Sequence, residues 1–258
     1  LMRRPTFRRL ESELSYEALL HELQKPEVKA AILAEENLPE DPNRQYESIA
    51  DNMAYMFEKL FVLGDPPDYE PTRDRSIAGI AEASGKDPWE VLYDSIAGGA
   101  LLLGAFTNYA NGSQDHLAVM LENPDTVLGL SDGGAHVRFI CDASLPTYML
   151  THWTRDRTRG DRLSLESIVR KQTALTAEVV GLTDRGTLEV GKKADINVID
   201  LDRLTLRPPH PADDLPAGGR RILQDASGYV ATIVSGVVTR RDDTDTGARP
   251  VASFALRT

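Results

Sequence analysis

The hydrophobic period of this chain changes at Asp184, and that change constrains the fold more than any other feature. Beyond it, "RGTLEVGKKADINVIDLD" and "YVATIVSGVVTRR" alternate apolar and polar residues between glycine turns. That is the pattern of antiparallel strands with one covered face. Before it, apolar residues recur at helical spacing and are broken by short apolar runs. The two stretches call for different architectures: an α/β part over residues 1–182 and a β part over 183–258.

Within the first part the helix signals are explicit. Residues 15–36 read as helix, divided by Pro26, which opens a second segment. Residues 45–64 read as another, closed by Gly64. Ser76 is placed to cap "SIAGIAEASG", and Asp87-Pro88 repeats the logic for "PWEVLYDSIAGG". These helices crowd the first half of the α/β part as a helical insertion. "ALLLGAF" (100–106) has strand length, a helix follows at 114–122, and "TVLGL" (126–130) is a second strand. Strand, helix, strand at this spacing predicts a βαβ unit and a parallel strand ending at Asp132. Serines 144 and 164 then open helices over 144–157 and 164–182, with Trp153 on the apolar stripe of the first. A complete (β/α)8 barrel takes roughly 250 residues. The α/β part is shorter and offers only two or three parallel strands, so it reads as the carboxyl-terminal portion of such a barrel.

Composition narrows the partners. The net charge is −11, with 41% hydrophobic and 27% charged residues. The arginines are scattered rather than striped, which argues against nucleic acid. Cys141 is the sole cysteine, so neither an intrachain disulfide nor a multi-cysteine zinc site can form,. No apolar run approaches the ~20 residues that span a bilayer, and Leu1-Met2-Arg3-Arg4 leads into polar helix rather than a signal core. The expectation is a cytoplasmic protein with a small-molecule partner, no nucleic acid and no membrane; a homo-oligomer remains allowed.

"GLSDGGAH" (129–136) places one carboxylate, Asp132, directly before two glycines. Ser-Asp-Gly is a common turn and needs no function. In parallel barrels, however, acids at the carboxyl ends of strands sit where chemistry happens. The surrounding residues weigh on this choice. "TVLGLSDGGAH", "RGDRLSLESIVRKQT", "GLTDRGTLEVGKKADINVID" and "DLPAGGRRILQDASGYVATIVSGVV" together resemble the amidohydrolase superfamily, and within it the N-acyl-D-amino-acid deacylases.

That resemblance implies the carboxyl-terminal part of a metal-dependent-hydrolase TIM barrel, followed by strands of a small composite β-sandwich. It implies hydrolysis of C–N bonds in amides, most closely N-acyl-amino-acid deacylation, with zinc or another divalent metal as cofactor. The superfamily's ligands are a His-x-His pair, two later histidines and a late Asp. Asp132 matches the last, as metal ligand and as the base that takes a proton from attacking water. His21, His116, His136, His152 and His210 contain no His-x-His pair, so the other ligands are expected outside this stretch, which is expected to be inactive by itself. His136, on the same loop, and Arg138, with a guanidinium fork suited to a carboxylate, are candidate substrate contacts. Asn108 and Tyr109, after the preceding strand, are two more, the tyrosine as a donor to an oxyanion. Each also has an ordinary reading as a loop or surface residue. Where D-aminoacylases carry His-Pro-Arg this chain has "ICDASLPTY", so the usual carboxylate clamp is not carried over. Two other readings stay open: a cyclic amidase of the dihydroorotase or hydantoinase kind, and a non-catalytic scaffold.

Overall fold

A computed structural model describes residues 1–44, 47, 51–53, 55–104, 112–129, 132–134 and 136–250. The chain divides into two compact units, Leu1–Gly112 and Ser113–Thr258.

The first unit is mainly helical. Helices Pro5–Glu13 and Pro26–Ala34 each begin on a proline, where the missing N–H is no loss,. Between them, Tyr16–Leu23 is capped by the Ser15 hydroxyl, which accepts from the Ala18 amide. Phe7 and Leu10, with Leu19 and Leu23, present apolar faces at i, i+3 and i, i+4 spacing to a core shared with Ile32, Tyr93 and Ala97,. The Tyr93 hydroxyl donates to the Leu23 carbonyl at 2.9 Å inside that core.

Ile77–Ser84 and Pro88–Ala97 are helices as the sequence predicts. The Ser76 hydroxyl accepts from Gly79 N at 3.0 Å, Gly85 ends its helix at φ 66°, and the Asp87 carboxylate accepts from Trp89 N at 2.8 Å. The expected helix over 45–64 does not extend to its end. Phe57–Lys59 is a single 3-10 turn, and Leu60–Val62 is strand β1, paired antiparallel with β2, Leu102–Gly104. The aromatic and β-branched run Leu60-Phe61-Val62 gains more from a pleated partner than from helix.

The second unit carries helices Asp115–Glu122, Leu145–Thr151, Leu165–Gln172 and Ala174–Val179. The segment expected as one helix over 144–157 starts with a 3-10 turn and ends in a π-helical turn, His152–Asp156, and Ser144 makes no capping bond. Ser164 does cap, accepting from Ser167 N. Thr173 leaves helical geometry and splits the 164–182 segment in two. Trp153, 1% exposed, packs with Met149, Leu150, Leu163, Ile168 and Leu204. That is the core role its stripe indicated.

The strands after Asp184 are antiparallel. A four-stranded sheet runs in the order β10 (Thr244–Asp245), β9 (Val237–Arg241), β8 (Tyr229–Val234), β3 (Ile196–Ile199), and its β8–β9 turn is Ser235-Gly236 with both φ positive. That is the geometry a two-residue hairpin demands. β4 (Thr205–Leu206) pairs with β7 (Ala226–Ser227), and β5 (His210–Leu215) with β6 (Gly219–Leu223).

The βαβ expectation is not met. Among the described residues every strand pair is antiparallel and no closed barrel forms. Residues 126–129 belong to no strand. A parallel strand draws its backbone bonds from neighbours on either side, and no described strand lies beside this one.

Candidate functional site

Asp132 lies in a turn over 132–134 in the second unit, with its carboxylate exposed. Gly134 has φ 95° and His136 φ 46°, so the backbone enters left-handed geometry twice within three residues. Glycine does so freely, and histidine more readily than most other residues. A separate turn follows, in which the His136 carbonyl accepts from Phe139 N at 2.9 Å and Ile140 N at 3.0 Å. The His136 ring stacks on Phe139 at 5.5 Å between centroids, while its surface stays exposed. Asp132 and His136 are both exposed.

Arg138 is half-buried. Burial first, and the Arg220 guanidinium next, lower its hold on its proton, and Asp213 offsets part of this. Arg220 is itself engaged with Asp213 at 2.7 Å, beside the parallel pair Arg221–Asp214 at 2.6 Å. Arg138 therefore sits inside a charged cluster on the β5–β6 hairpin. Asn108 and Tyr109 lie outside the described residues.

Two ties fix the segment that carries Asp132. On its carboxyl side, Ile222 N in β6 donates to the Val137 carbonyl at 2.8 Å. On its amino side, the Lys171 ammonium donates to the carbonyls of Asn123 and Thr126, both at 2.8 Å. Leu128 packs against the core between the two ties, while Gly129, Asp132, Gly134 and His136 are exposed. Sequence reasoning passed over Lys171. The available signal was its place three residues after the fully buried Ile168, on the inward face of Leu165–Gln172,.

A cavity of about 480 Å³ opens beside Gly134, Val137 and Cys141, with Thr147, Leu223 and Tyr229 among its other walls. Burial first, and then the Asp142 carboxylate, push the Cys141 thiol upward, so it stays protonated and a poor nucleophile,.

The model for the amidohydrolase family matches residues 1–240. This chain belongs to the amidohydrolase family. Among curated relatives, the amidohydrolase chain is 41% identical over 73 residues to an N-acyl-D-glutamate deacylase of Alcaligenes xylosoxydans xylosoxydans, which is 28% of this chain and 14% of that protein. It is 46% identical over 50 residues to an allantoinase of Streptomyces avermitilis, covering 19% of this chain and 11% of that one. An uncharacterised Mycobacterium bovis protein shares 31% over 175 residues, 65% of this chain and 28% of that protein. The chain thus spans well under a third of the length of these relatives. A solved D-aminoacylase structure aligns at TM-score 0.41 and 24% identity, over 73% of this chain and 36% of that one.

Amidohydrolases are associated with divalent metals. Among the described residues no three His, Cys, Asp or Glu side chains converge on one point. Asp132 presents an exposed carboxylate, a group whose chemistry suits a divalent cation,, and the described residues do not complete a ligand set. No helix among them is long and apolar enough to cross a membrane.

Proposed function

We propose that this chain forms part of an enzyme that hydrolyses the C–N bond of a small-molecule amide, with N-acyl amino acids as the substrate class and Asp132 as the proton-transferring residue. The observation that carries this reading is the amidohydrolase match over residues 1–240, which spans the Asp132 turn. The 41% identity to an N-acyl-D-glutamate deacylase favours an acyclic substrate. In the whole protein, residues 1–182 would form the carboxyl-terminal portion of a barrel and 183–258 would contribute strands to a β-sandwich.

In this reading the Asp132 carboxylate accepts a proton from the attacking water and returns it to the departing amine nitrogen as the C–N bond breaks. A carboxylate exposed on a glycine-rich turn can do both, because it is reachable from solvent and the backbone around it leaves room for substrate. A divalent metal, zinc in the first instance, would supply Lewis acidity. Among the described residues Asp132 would be one ligand, and the others would come from elsewhere in the protein. In this reading His136 and Arg138 would meet the acyl or carboxylate end of the substrate. Asn108 and Tyr109 keep their candidate roles.

The second reading, ring opening of a cyclic amide, is favoured by the 46% identity to an allantoinase. The two differ in product. Deacylation gives a carboxylate and a free amine as separate molecules, whereas ring opening leaves one molecule. The test is amine release from N-acyl amino acids, and carboxylate formation without loss of a fragment from cyclic amides, by the complete protein and its Asp132→Asn variant. Turnover of neither class would overturn the proposal.

A further inference from the structure

We propose that Lys171 is a positioning residue for Asp132, its buried ammonium fastening the entrance of the segment that carries the carboxylate. The inference rests on the reading of Asp132 as the proton-transferring group. Lys171 is 5% exposed. Its Nζ donates to Asn123 O and Thr126 O at 2.8 Å each and to Thr126 Oγ1 at 3.3 Å, and no carboxylate of a described residue lies within ion-pair distance. A buried cation whose donors all end on neutral oxygens is costly to keep. A mere packing requirement at this helical position would be met by an apolar residue at lower cost.

What the lysine holds is a tight turn. Thr126 N and Oγ1 both donate to the Asn123 carbonyl, Thr126 Oγ1 also donates to Met120 O at 2.7 Å, and Asp125 N donates to Asn123 Oδ1 at 2.8 Å. The ammonium closes that turn from the side of Leu165–Gln172. From Thr126 the chain runs to Asp132 with Leu128 as its core contact, and it is next tied at Val137. Residues 126–129 have no strand ladder to set their direction. Among the described residues, the ties that flank Asp132 are those at Thr126 and Val137, and Lys171 makes the amino-side one. Displacement of a reacting group by about 1 Å can cost on the order of 10²-fold in rate.

The experiment compares Lys171→Met, Lys171→Arg and Asp132→Asn with wild type in the complete protein, well below each variant's Tm. It records kcat and KM per folded chain, bound metal, and amide hydrogen exchange resolved by peptide. For Lys171→Met the expected result is a kcat lower by on the order of 10- to 10²-fold, with KM nearly unchanged. Exchange should quicken across 127–137 and stay slow across 165–172. Lys171→Arg, which keeps charge and donors, should recover most of kcat. If Lys171→Met does not fold, Lys171→Gln is read by the same criteria. Wild-type kcat and wild-type exchange across 127–137 would overturn the proposal, and so would exchange accelerated uniformly across 113–250, the mark of general destabilisation. An active Asp132→Asn protein would refute the base assignment, leaving the exchange pattern to decide the tie. An inactive Asp132→Asn beside fully active Lys171 variants would refute the tie alone.

Discussion

Replacing Arg157 with Met removes the most deeply buried charge among the described residues of the second unit. Its side chain is 0% exposed. Nη1 donates to Asp161 O at 2.8 Å and Nη2 to Arg159 O at 3.3 Å, the guanidinium carbon lies 4.8 Å from the Trp153 ring centroid, and Nη2 meets Asp115 Oδ1 at 2.6 Å. The Asp115 carboxylate is 68% exposed, so water screens and replaces its half of the pair. The stabilisation therefore resides in the carbonyl bonds and the indole face. Bonds from a charged donor are worth ~1.5–3 kcal/mol, and a desolvated cation–π contact ~2 kcal/mol. Methionine keeps much of the apolar packing and leaves no buried charge behind, so the net loss should be about 3–5 kcal/mol, the sum of the carbonyl bonds and the indole contact. With a urea m-value of ~2 kcal/mol/M, the midpoint falls by roughly 2 M.

The assay is built into the sequence. Its two tryptophans fall one in each unit, Trp89 and Trp153, so Trp153 fluorescence in a Trp89→Phe background follows the second unit alone. Asp115→Asn in the same background should shift the midpoint by only a small fraction of that amount. An Asp115→Asn shift as large as that of Arg157→Met would refute the reasoning, since the ion pair would then carry the stability.

Gly160 sits at φ 145°, and an added Cβ would lie 2.6 Å from the Arg157 guanidinium carbon. Gly160→Ala should cost upward of about 1 kcal/mol by the same fluorescence assay, and Arg157→Met should relieve only part of it, because the positive φ and Asp115 Oδ1, which the added Cβ would also meet, remain,. In the first unit, burial and then the neighbouring Asp94 push the Tyr93 phenol up to about 12. Its proton is held more tightly folded than unfolded. This contribution is intact below the ordinary tyrosine value near 10 and is lost as the pH climbs from there to about 12. Tyr93→Phe should flatten the decline of stability over that window, measured by urea titration of Trp89 fluorescence; an unchanged slope would contradict the assignment.

The features legible in the sequence were those whose physics is local. Ser76, Asp87 and Ser164 cap helices because a side-chain oxygen and an amide two or three residues on suffice. Ser235-Gly236 turns a hairpin for a similarly local reason. Trp153 was readable as core from its stripe alone. What failed depended on distant partners. The run at 126–130 has strand composition, yet the described 126–129 lie in no ladder, because strand pairing is a property of neighbours. Phe61 reads as helix in the sequence and is strand in the structure, because Leu103 lies opposite it. Asp132 was visible as a residue type in a glycine-rich turn. The lysine that fastens its segment was not, because the acceptors are backbone carbonyls 45 and 48 positions away.

The most direct measurement of the central claim is kcat for amide hydrolysis by the complete protein and its Asp132→Asn variant, with bound metal per chain and circular dichroism recorded on the same samples. Asparagine keeps the size and one oxygen but cannot accept the proton. The account predicts a kcat lower by about 10²- to 10⁴-fold, the usual worth of a positioned general base, with metal content falling less. The dichroism spectrum should be unchanged, because an exposed turn carboxylate supports little of the core. A folded Asp132→Asn protein with near-wild-type kcat would contradict the account and reduce "GLSDGGAH" to a turn.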